Sequence, residues 1–259
     1  YLHTSPEFFM KRLLAAGSGD IYQLCKVFRD DEQGKNHSPE FTMLEWYRAG
    51  FNHHQLMAEA EALVNQLWQH VGPAATFNAA VKISYQQAFI QSLGVDPLSA
   101  SVTDLDKLAR EKNIEIPQGM ESHKDMWLDW LMMAGVAPQF AKDRLTFVYD
   151  YPVSQAALAR VSVADPRVAH RFEMYWGELE LANGFYELTD AVEQRKRFAR
   201  DNQQRQQKGL PVMPVDEKFL SALEQGMPDC AGVAVGLDRL LMVLLAKVRI
   251  HDVLSFGIE

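Results

Sequence analysis

A β-strand is predicted by the segment Glu40-Phe41-Thr42-Met43-Leu44-Glu45-Trp46-Tyr47-Arg48, in which apolar and polar side chains alternate. Residues 21–29 alternate in the same way, and residues 30–39 form a polar loop between the two segments. Because such a loop lets the chain reverse, we expect an antiparallel pair of strands. Parity along the second strand places four side chains on one face, namely Phe41, Met43, Glu45 and Tyr47.

Further strands and helices are predicted on the C-terminal side of this pair. A second extended pair is expected over residues 172–180 and 180–188, broken at Gly177 and Gly184, and short strands are expected at residues 146–149 and 232–235. Capping residues and apolar spacing predict helices at residues 5–17, 52–70, 190–208, 216–225 and 236–246.

Three polar residues have the chemistry of helix N-caps, namely Ser84, Thr103 and Ser122. They indicate a helical insert over residues 52–143, between two strand-rich parts of the chain. Antiparallel strands combined with segregated helices predict an α+β fold. We therefore expect one domain over residues 1–259, with an antiparallel sheet flanked by helices.

The composition limits the function. The chain has 259 residues, of which 47% are hydrophobic and 23% are charged, as in globular domains with a large core. Asp and Glu number 34 against 26 Lys and Arg, and the net charge of −8 argues against a general nucleic-acid binder. Two cysteines predict no disulfide framework and favour the cytoplasm, and no apolar run reaches the length of a membrane span. Because the chain opens at Tyr1, we expect its natural N-terminus to lie upstream.

Three groups of residues are candidates for chemistry. Arg29 ends one strand beside Phe41, Glu45 and Tyr47 on the next. Glu173, Glu180 and Glu187 are spaced seven apart, and carboxylates that converge need a cation such as Mg²⁺ or a substrate ammonium. Residues 232–239 run from a small-residue strand into a helix that carries Arg239, which can reach a phosphate. Each group taken alone also fits a purely structural role.

Taken together and in this order, the three groups resemble motifs 2 and 3 of the class II aminoacyl-tRNA synthetases. The closest resemblance within that class is to its lysine-activating branch, which comprises lysyl-tRNA synthetases and the shorter ligases that attach β-lysine to elongation factor P. It rests on residues 4–7, 13–17, 41–47, 180–190 and 226–239, and it spans essentially the whole chain. Motif 1, which forms the dimer interface in that class, would lie upstream of Tyr1.

The resemblance implies an ATP site. Arg29 would bridge the α-phosphate and the substrate carboxylate, and Phe41 would stack under adenine with Arg239 above it. Glu180 would hold Mg²⁺, with Glu173 as a second metal ligand. The remaining ATP contacts would come from Asp30, Asp31, Ser38, Leu181 and Gly236.

The resemblance also implies a site for a lysine-type substrate. Glu187 and Tyr47 would take the far ammonium group, and Glu7 would take the near one with help from Asn183. The rest of this site would be formed by Ser5, Pro6 and Ala234. Physical chemistry agrees with this arrangement, because a diamino acid has a cation at each end and the site offers a carboxylate for each.

The implied function is ATP-dependent activation of (R)-β-lysine as an acyl adenylate and its transfer to a lysine of elongation factor P. A homodimer is implied, and neither tRNA nor a membrane is expected as a partner. Ala234 favours this branch, because lysyl-tRNA synthetases have glycine there. Asp31 and Ser38 also depart from the usual Glu and Asn. The alternatives are the catalytic core of a lysyl-tRNA synthetase and a non-catalytic paralogue.

Two adjacent histidines form one further candidate metal site. His53 and His54 are adjacent, but the sequence around them has neither the HExxH nor the Cys-x-x-Cys spacing of common zinc sites. The sequence therefore predicts no metal site there.

Overall fold

Seven strands form one sheet in the computed structural model, which describes residues 2–30, 33–120 and 123–256. In chain order the strands are β1 (Ile21–Phe28), β2 (Glu40–Ala49), β3 (Asn78–Ser84), β4 (Arg144–Pro152), β5 (Val168–Trp176), β6 (Leu179–Tyr186) and β7 (Cys230–Gly236). Their order across the sheet is β1-β2-β7-β6-β5-β4-β3. Neighbouring strands are antiparallel apart from β3 and β4, which are parallel. The predicted α+β class with an antiparallel sheet is confirmed.

Eight α-helices lie in the described part of the chain: α1 (Glu7–Ala15), α2 (His53–Val71), α3 (Tyr85–Leu93), α4 (Val102–Glu111), α5 (Lys124–Leu131), α6 (Ala191–Gln207), α7 (Glu217–Gln225) and α8 (Leu237–Leu244). Asn52 caps α2 through a capping box, and Asp190 and Asp216 cap α6 and α7 with their carboxylates. These helices were predicted from the same residues. Within the described ranges, each helix is too short or too polar to span a membrane.

The two faces of the sheet are buried differently. Trp46, Val233 and Val235 point to the face that α2 and α8 cover, where they join the largest apolar core. On the other face Tyr47 packs in a smaller core with side chains of α1 and α7. Helices α3 to α5 form a third core with the outer strands, in which Val148 and Tyr175 are buried.

Strand register aligns polar side chains on the second face. Glu45 pairs with Ala234, which also pairs with Asn183, and Asn183 pairs with Glu173. Directly paired residues of an antiparallel sheet share a face, so these four residues form one row across β2, β7, β6 and β5. A parallel row of paired residues runs from Tyr47 through Gly232 and Phe185 to Arg171. The sheet thus brings distant parts of the chain together on one surface.

Several sequence predictions are corrected by the structure. The insert at residues 52–143 is not wholly helical, because β3 lies within it and extends the sheet beside β4. Ser84 does cap α3, but α4 is capped by Ser101 and not by Thr103. Ser122 lies outside the described residues.

The two glycines predicted to break the second strand pair, Gly177 and Gly184, have different structural roles. Gly177 has a φ of +53° at the turn between β5 and β6, a conformation that favours glycine. Gly184, by contrast, remains inside β6, where a Cβ atom would lie 2.4 Å from the Phe172 ring. Close packing of the strand against that ring, and not a chain break, is therefore the reason for this glycine.

Candidate active site

A cleft opens on the sheet face that carries Ala234 and Asn183. It is lined by residues predicted for ATP, namely Arg29, Ser38, Phe41, Glu180, Leu181, Gly236 and Arg239. Asp30 lies beside Arg29 in the chain but outside the described lining, and Asp31 lies outside the described residues. The structure thus brings motifs 2 and 3 into one cavity.

Arg29 and Phe41 meet at the end of the β1–β2 pair. Register pairs Val27 with Phe41, and the backbone N–H of Arg29 donates to the Pro39 carbonyl at 2.9 Å. The Arg29 guanidinium lies over the Phe41 ring, 5.2 Å from its centroid. This is a cation–π arrangement, in which the aromatic face attracts a planar cation. The Phe41 ring also lines the cleft.

Arg239 joins the loop after β1 to strand β6. Its Nε donates to the Asn36 carbonyl and its Nη1 donates to the Glu180 carbonyl, each at 3.0 Å. The preceding residue, Asp238, is buried and accepts a hydrogen bond from the backbone N–H of Thr42 in β2. The start of α8 is therefore held against the sheet, with one guanidinium directed into the cleft.

Glu173 and Glu180 have different surroundings. Glu173 is buried and accepts hydrogen bonds from Arg171 at 2.5 Å and from the hydroxyl of Tyr175. Glu180 is partly exposed and lines the cleft. Its partial burial in the cleft and the nearby charge of Glu173 raise the pKa of Glu180, and Arg239 opposes this rise. Glu180 is thus the more accessible of the two predicted metal ligands, while Glu173 is already bound to an arginine.

A cluster of carboxylates lies beside the cleft, around a buried lysine on α1. Lys11 is 1% exposed, and its Nζ lies 2.6 Å from a carboxylate oxygen of Glu7 and 2.6 Å from one of Glu187. Burial opposes the charge of Lys11, but Glu187 and Glu7 together raise its pKa above the ordinary value. The two carboxylates predicted for the two ammonium groups of a substrate therefore share a cation that the protein itself supplies.

A third carboxylate completes this cluster. Glu45 is 2% exposed and accepts hydrogen bonds from the Ser5 hydroxyl at 2.9 Å and the Tyr47 hydroxyl at 2.5 Å. Burial and the charge of Glu7 raise the pKa of Glu45 to about 7. Ser5 also accepts from the backbone N–H of Glu7 at 3.0 Å, so one hydroxyl connects the start of α1 to β2. Pro6 sits at the N-cap of α1 between them.

Gly232 leaves room for the predicted substrate residues. A Cβ atom there would lie 2.3 Å from Cε1 of Tyr47 and 2.5 Å from Oε1 of Glu187. That buried oxygen has no hydrogen-bond partner among the described residues. Because buried polar atoms are nearly always paired in proteins, this oxygen is a candidate to accept a hydrogen bond from a ligand.

The charge balance of the cluster indicates its ligand. Glu7, Glu45 and Glu187 supply three carboxylates, and Lys11 supplies one ammonium group. If all four groups are ionised, the cluster has two negative charges in excess. Buried charges are costly unless they are paired, so the site favours a ligand with two cationic groups or the uptake of protons.

Four residues of the site had no assigned role in the sequence analysis, namely Lys11, Glu45, Arg171 and Gly232. Lys11 follows Glu7 by four residues, a spacing that pairs opposite charges on a helix. Glu45 was placed on the correct face but was given no ligand. Arg171 binds Glu173 and donates to the Asn183 side chain at 3.3 Å, and only the strand pairing shows this. The predicted face shared by Phe41, Met43, Glu45 and Tyr47 is confirmed, since the first two flank or line the cleft and the last two are hydrogen-bonded.

Comparisons with known proteins agree with this geometry. The profile of the family described as tRNA synthetases class II (D, K and N) matches residues 1–259. A protein of Edwardsiella ictaluri named elongation factor P--(R)-beta-lysine ligase is 51% identical over the whole of this chain and 78% of its own length. Proteins of the same name from Proteus mirabilis and Klebsiella pneumoniae are 49% and 48% identical, and the chain covers 77% and 78% of them.

Proposed function

The chain belongs to the class II tRNA synthetases (D, K and N), and we propose that it is an ATP-dependent ligase that joins (R)-β-lysine to elongation factor P. The observation that carries the proposal is the row Glu45–Ala234–Asn183–Glu173 across four strands. It joins the cleft of motifs 2 and 3 to a cluster with three carboxylates around one lysine.

The first reaction forms an acyl adenylate. A carboxylate oxygen of the amino acid attacks the α-phosphorus of ATP, the bond from that phosphorus to the bridging oxygen breaks, and pyrophosphate leaves. Negative charge shifts toward the phosphoryl oxygens, where a guanidinium can neutralise it. We assign this role to Arg29, which follows β1 and lies over the Phe41 ring, and to Arg239, which two backbone carbonyls hold in the cleft.

The second reaction transfers the acyl group to a protein. The ε-amine of a lysine on elongation factor P attacks the carbonyl carbon of the adenylate, an amide bond forms, and AMP leaves with the bonding electrons. The amine releases one proton to solvent in this step. Both reactions depend on positioning and charge neutralisation more than on a proton-transferring side chain.

Magnesium would enter with ATP and neutralise phosphate charge. Glu180 is the residue best suited to hold it, because its carboxylate lines the cleft and hard oxygen ligands suit Mg²⁺. Glu173 would join only if its carboxylate were shared with Arg171.

The amino-acid specificity follows from the carboxylate cluster. β-Lysine has two ammonium groups, and the cluster has two negative charges in excess when Lys11 and all three carboxylates are ionised. Glu187 has a buried oxygen free to accept a hydrogen bond from the far ammonium, beside Tyr47. Glu7 and Asn183 would receive the near ammonium, with Ser5, Pro6 and Ala234 shaping the pocket.

Pyrophosphate exchange tests the activation step. Purified protein is incubated with ATP, labelled pyrophosphate and either (R)-β-lysine, α-lysine or norleucine, which matches α-lysine in length but lacks the far ammonium. We expect exchange with β-lysine to exceed exchange with α-lysine, and norleucine to give none. Equal exchange with norleucine would show that the carboxylate cluster does not select the substrate.

Acceptor labelling tests the transfer step. The net charge of −8 gives little support to binding of a tRNA body, whose phosphates attract basic surfaces. Labelled β-lysine is offered with ATP and either elongation factor P or total tRNA, and we expect the protein to be labelled faster. A matched elongation factor P whose acceptor lysine is replaced by arginine should stay unlabelled. Faster labelling of tRNA would favour a lysyl-tRNA synthetase core. The expected homodimer is tested separately by light scattering.

A further inference from the structure

A second polar cluster lies on the opposite side of the sheet from the cleft. It consists of His53 at the start of α2, Asp150 near the end of β4 and His170 on β5. One ligand atom from each of these residues lies within 4.8 Å of the other two. His170 precedes Arg171, whose side chain binds Glu173 and Asn183 on the cleft side. Successive strand residues point to opposite faces, so the cluster is separate from the active site.

The fold places Asp150 in this cluster at some conformational cost. Pairing of β4 with β5 shifts register between Tyr149 and Tyr151, which leaves Asp150 unpaired at a β-bulge. Its φ of +56° lies in the left-handed region, which residues other than glycine adopt uncommonly. The bulge brings the Asp150 carboxylate to 3.0 Å from Nδ1 of His170 and 3.6 Å from Nε2 of His53.

His53 provides an independent observation. It is 4% exposed, and neither of its ring nitrogens has a hydrogen-bond partner among the described residues. The ring stacks on that of His170, with centroids 4.6 Å apart. Buried imidazole nitrogens are normally hydrogen-bonded or metal-bound, and this ring has a nitrogen directed toward Asp150. A simple histidine–aspartate pair explains His170 but leaves His53 unsatisfied.

We propose that His53, Asp150 and His170 bind a divalent transition-metal ion such as Zn²⁺. Two imidazoles and one carboxylate are a recognised ligand set for such ions. Ligands about 2.1 Å from a tetrahedral zinc are about 3.4 Å apart, close to the separations of Asp150 from each histidine. Asp150 and His170 are partly exposed, so water can supply the fourth ligand. The nitrogen ligands distinguish this site from one for Mg²⁺.

The ion would connect three elements of the fold. It would join the N-terminus of α2 to the bulge of β4 and to β5, and so fasten the helix to the sheet. Binding of the ion is therefore expected to raise thermal stability. This gain does not require ATP or the amino-acid substrate.

Competition with a chromophoric zinc chelator tests the proposal directly. The metal-free protein is titrated with Zn²⁺ without nucleotide, and we expect one tight equivalent. His170→Gln and Asp150→Asn should each weaken binding at least tenfold. His54→Gln is the matched control, because His54 adjoins His53 in sequence but is not one of the three ligands. Circular dichroism confirms that each variant is folded.

Cys25 and His3 form another pair of potential zinc ligands, and a Cys25→Ser variant distinguishes this pair from the cluster. Sγ of Cys25 lies 3.8 Å from Nε2 of His3. Zinc binding that is lost in Cys25→Ser but retained in both cluster variants would assign the ion to that pair and overturn the proposal. Absence of a tight equivalent in the unmodified protein would overturn it as well.

Thermal unfolding provides a second measurement. Zn²⁺ at 100 times its Kd should raise the Tm of the protein by about 5–10 °C, and the same concentration of Mg²⁺ should not. The shift should fall to about half or less in His170→Gln and persist in His54→Gln. An equal shift in both variants would contradict the assignment to His53, Asp150 and His170.

Discussion

Gly232→Ala is expected to impair use of the amino acid while sparing ATP. The added Cβ atom would lie 2.3 Å from Cε1 of Tyr47, and ordinary van der Waals contact begins at 3.4 Å. Tyr47 is 2% exposed and packs in a core with side chains of α1 and α7, so its ring can move only by displacing them. The ring, and with it the neighbouring Glu187 carboxylate, must therefore move by about 1 Å.

A shift of this size has a calculable consequence. Misplacement of a binding group by about 1 Å lowers kcat/KM by about 100-fold when that group positions the substrate. Overpacking of a core position also costs about 1–3 kcal/mol of unfolding free energy. Because Gly232 does not line the cleft formed by the described residues, the KM for ATP should change little.

Gly184→Ala is the matched control for this substitution. Gly184 lies on the neighbouring strand, and a Cβ there would lie 2.4 Å from the Phe172 ring on the opposite face of the sheet. Both variants should lose similar stability in thermal unfolding. In steady-state assays with (R)-β-lysine varied at saturating ATP, only Gly232→Ala should show the large loss. Equal losses in the two variants, or an unchanged kcat/KM in Gly232→Ala, would refute the placement of the amino acid beside Tyr47.

Four further substitutions test the site. Arg29→Ala should abolish pyrophosphate exchange at saturating ATP without unfolding the chain, and activity within about tenfold of the unmodified protein would contradict its role at the α-phosphate. Glu187→Gln should weaken binding of the amino acid by about 2–4 kcal/mol, which raises its KM, and should leave the KM for ATP unchanged. An effect on the KM for ATP alone would assign Glu187 to the metal. Ala234→Gly should improve α-lysine relative to β-lysine by about 10–200-fold in the ratio of kcat/KM, and an unchanged ratio would leave Ala234 with a packing role only. Burial raises the pKa of Glu45 to about 7, so between about pH 4.5 and 7 the folded state holds a proton that the unfolded state has released. The free energy of unfolding therefore falls as the pH rises through this range. Glu45→Gln should remove this part of the pH dependence in denaturant titrations.

Local patterns were enough to identify most elements of the fold. Strand alternation located β1 and β2, and side-chain caps located α2, α6 and α7 within one or two residues. These features depend on neighbours along the chain, which the sequence states directly. The edge strand β3 was missed, because its partner β4 begins 60 residues after it and the pairing is not visible locally.

Several residues that line the cleft were also predictable from the sequence. Arg29, Phe41, Glu180 and Arg239 were each predicted from motifs, and the structure places them together around one cavity. Their specific functional roles stay predictions until the substitutions above are measured.

Only the tertiary structure shows which charged side chains pair with one another. Lys11 is four residues from Glu7 in the helix, but its contact with Glu187 joins positions 176 residues apart. The cluster of His53, Asp150 and His170 likewise depends on a bulge in β4, which no local pattern indicated. Sequence specifies which side chains are available and which face of an element they occupy. Their partners across the sheet, and hence their burial and charge balance, are set by strand register, because register determines which distant residues lie opposite one another.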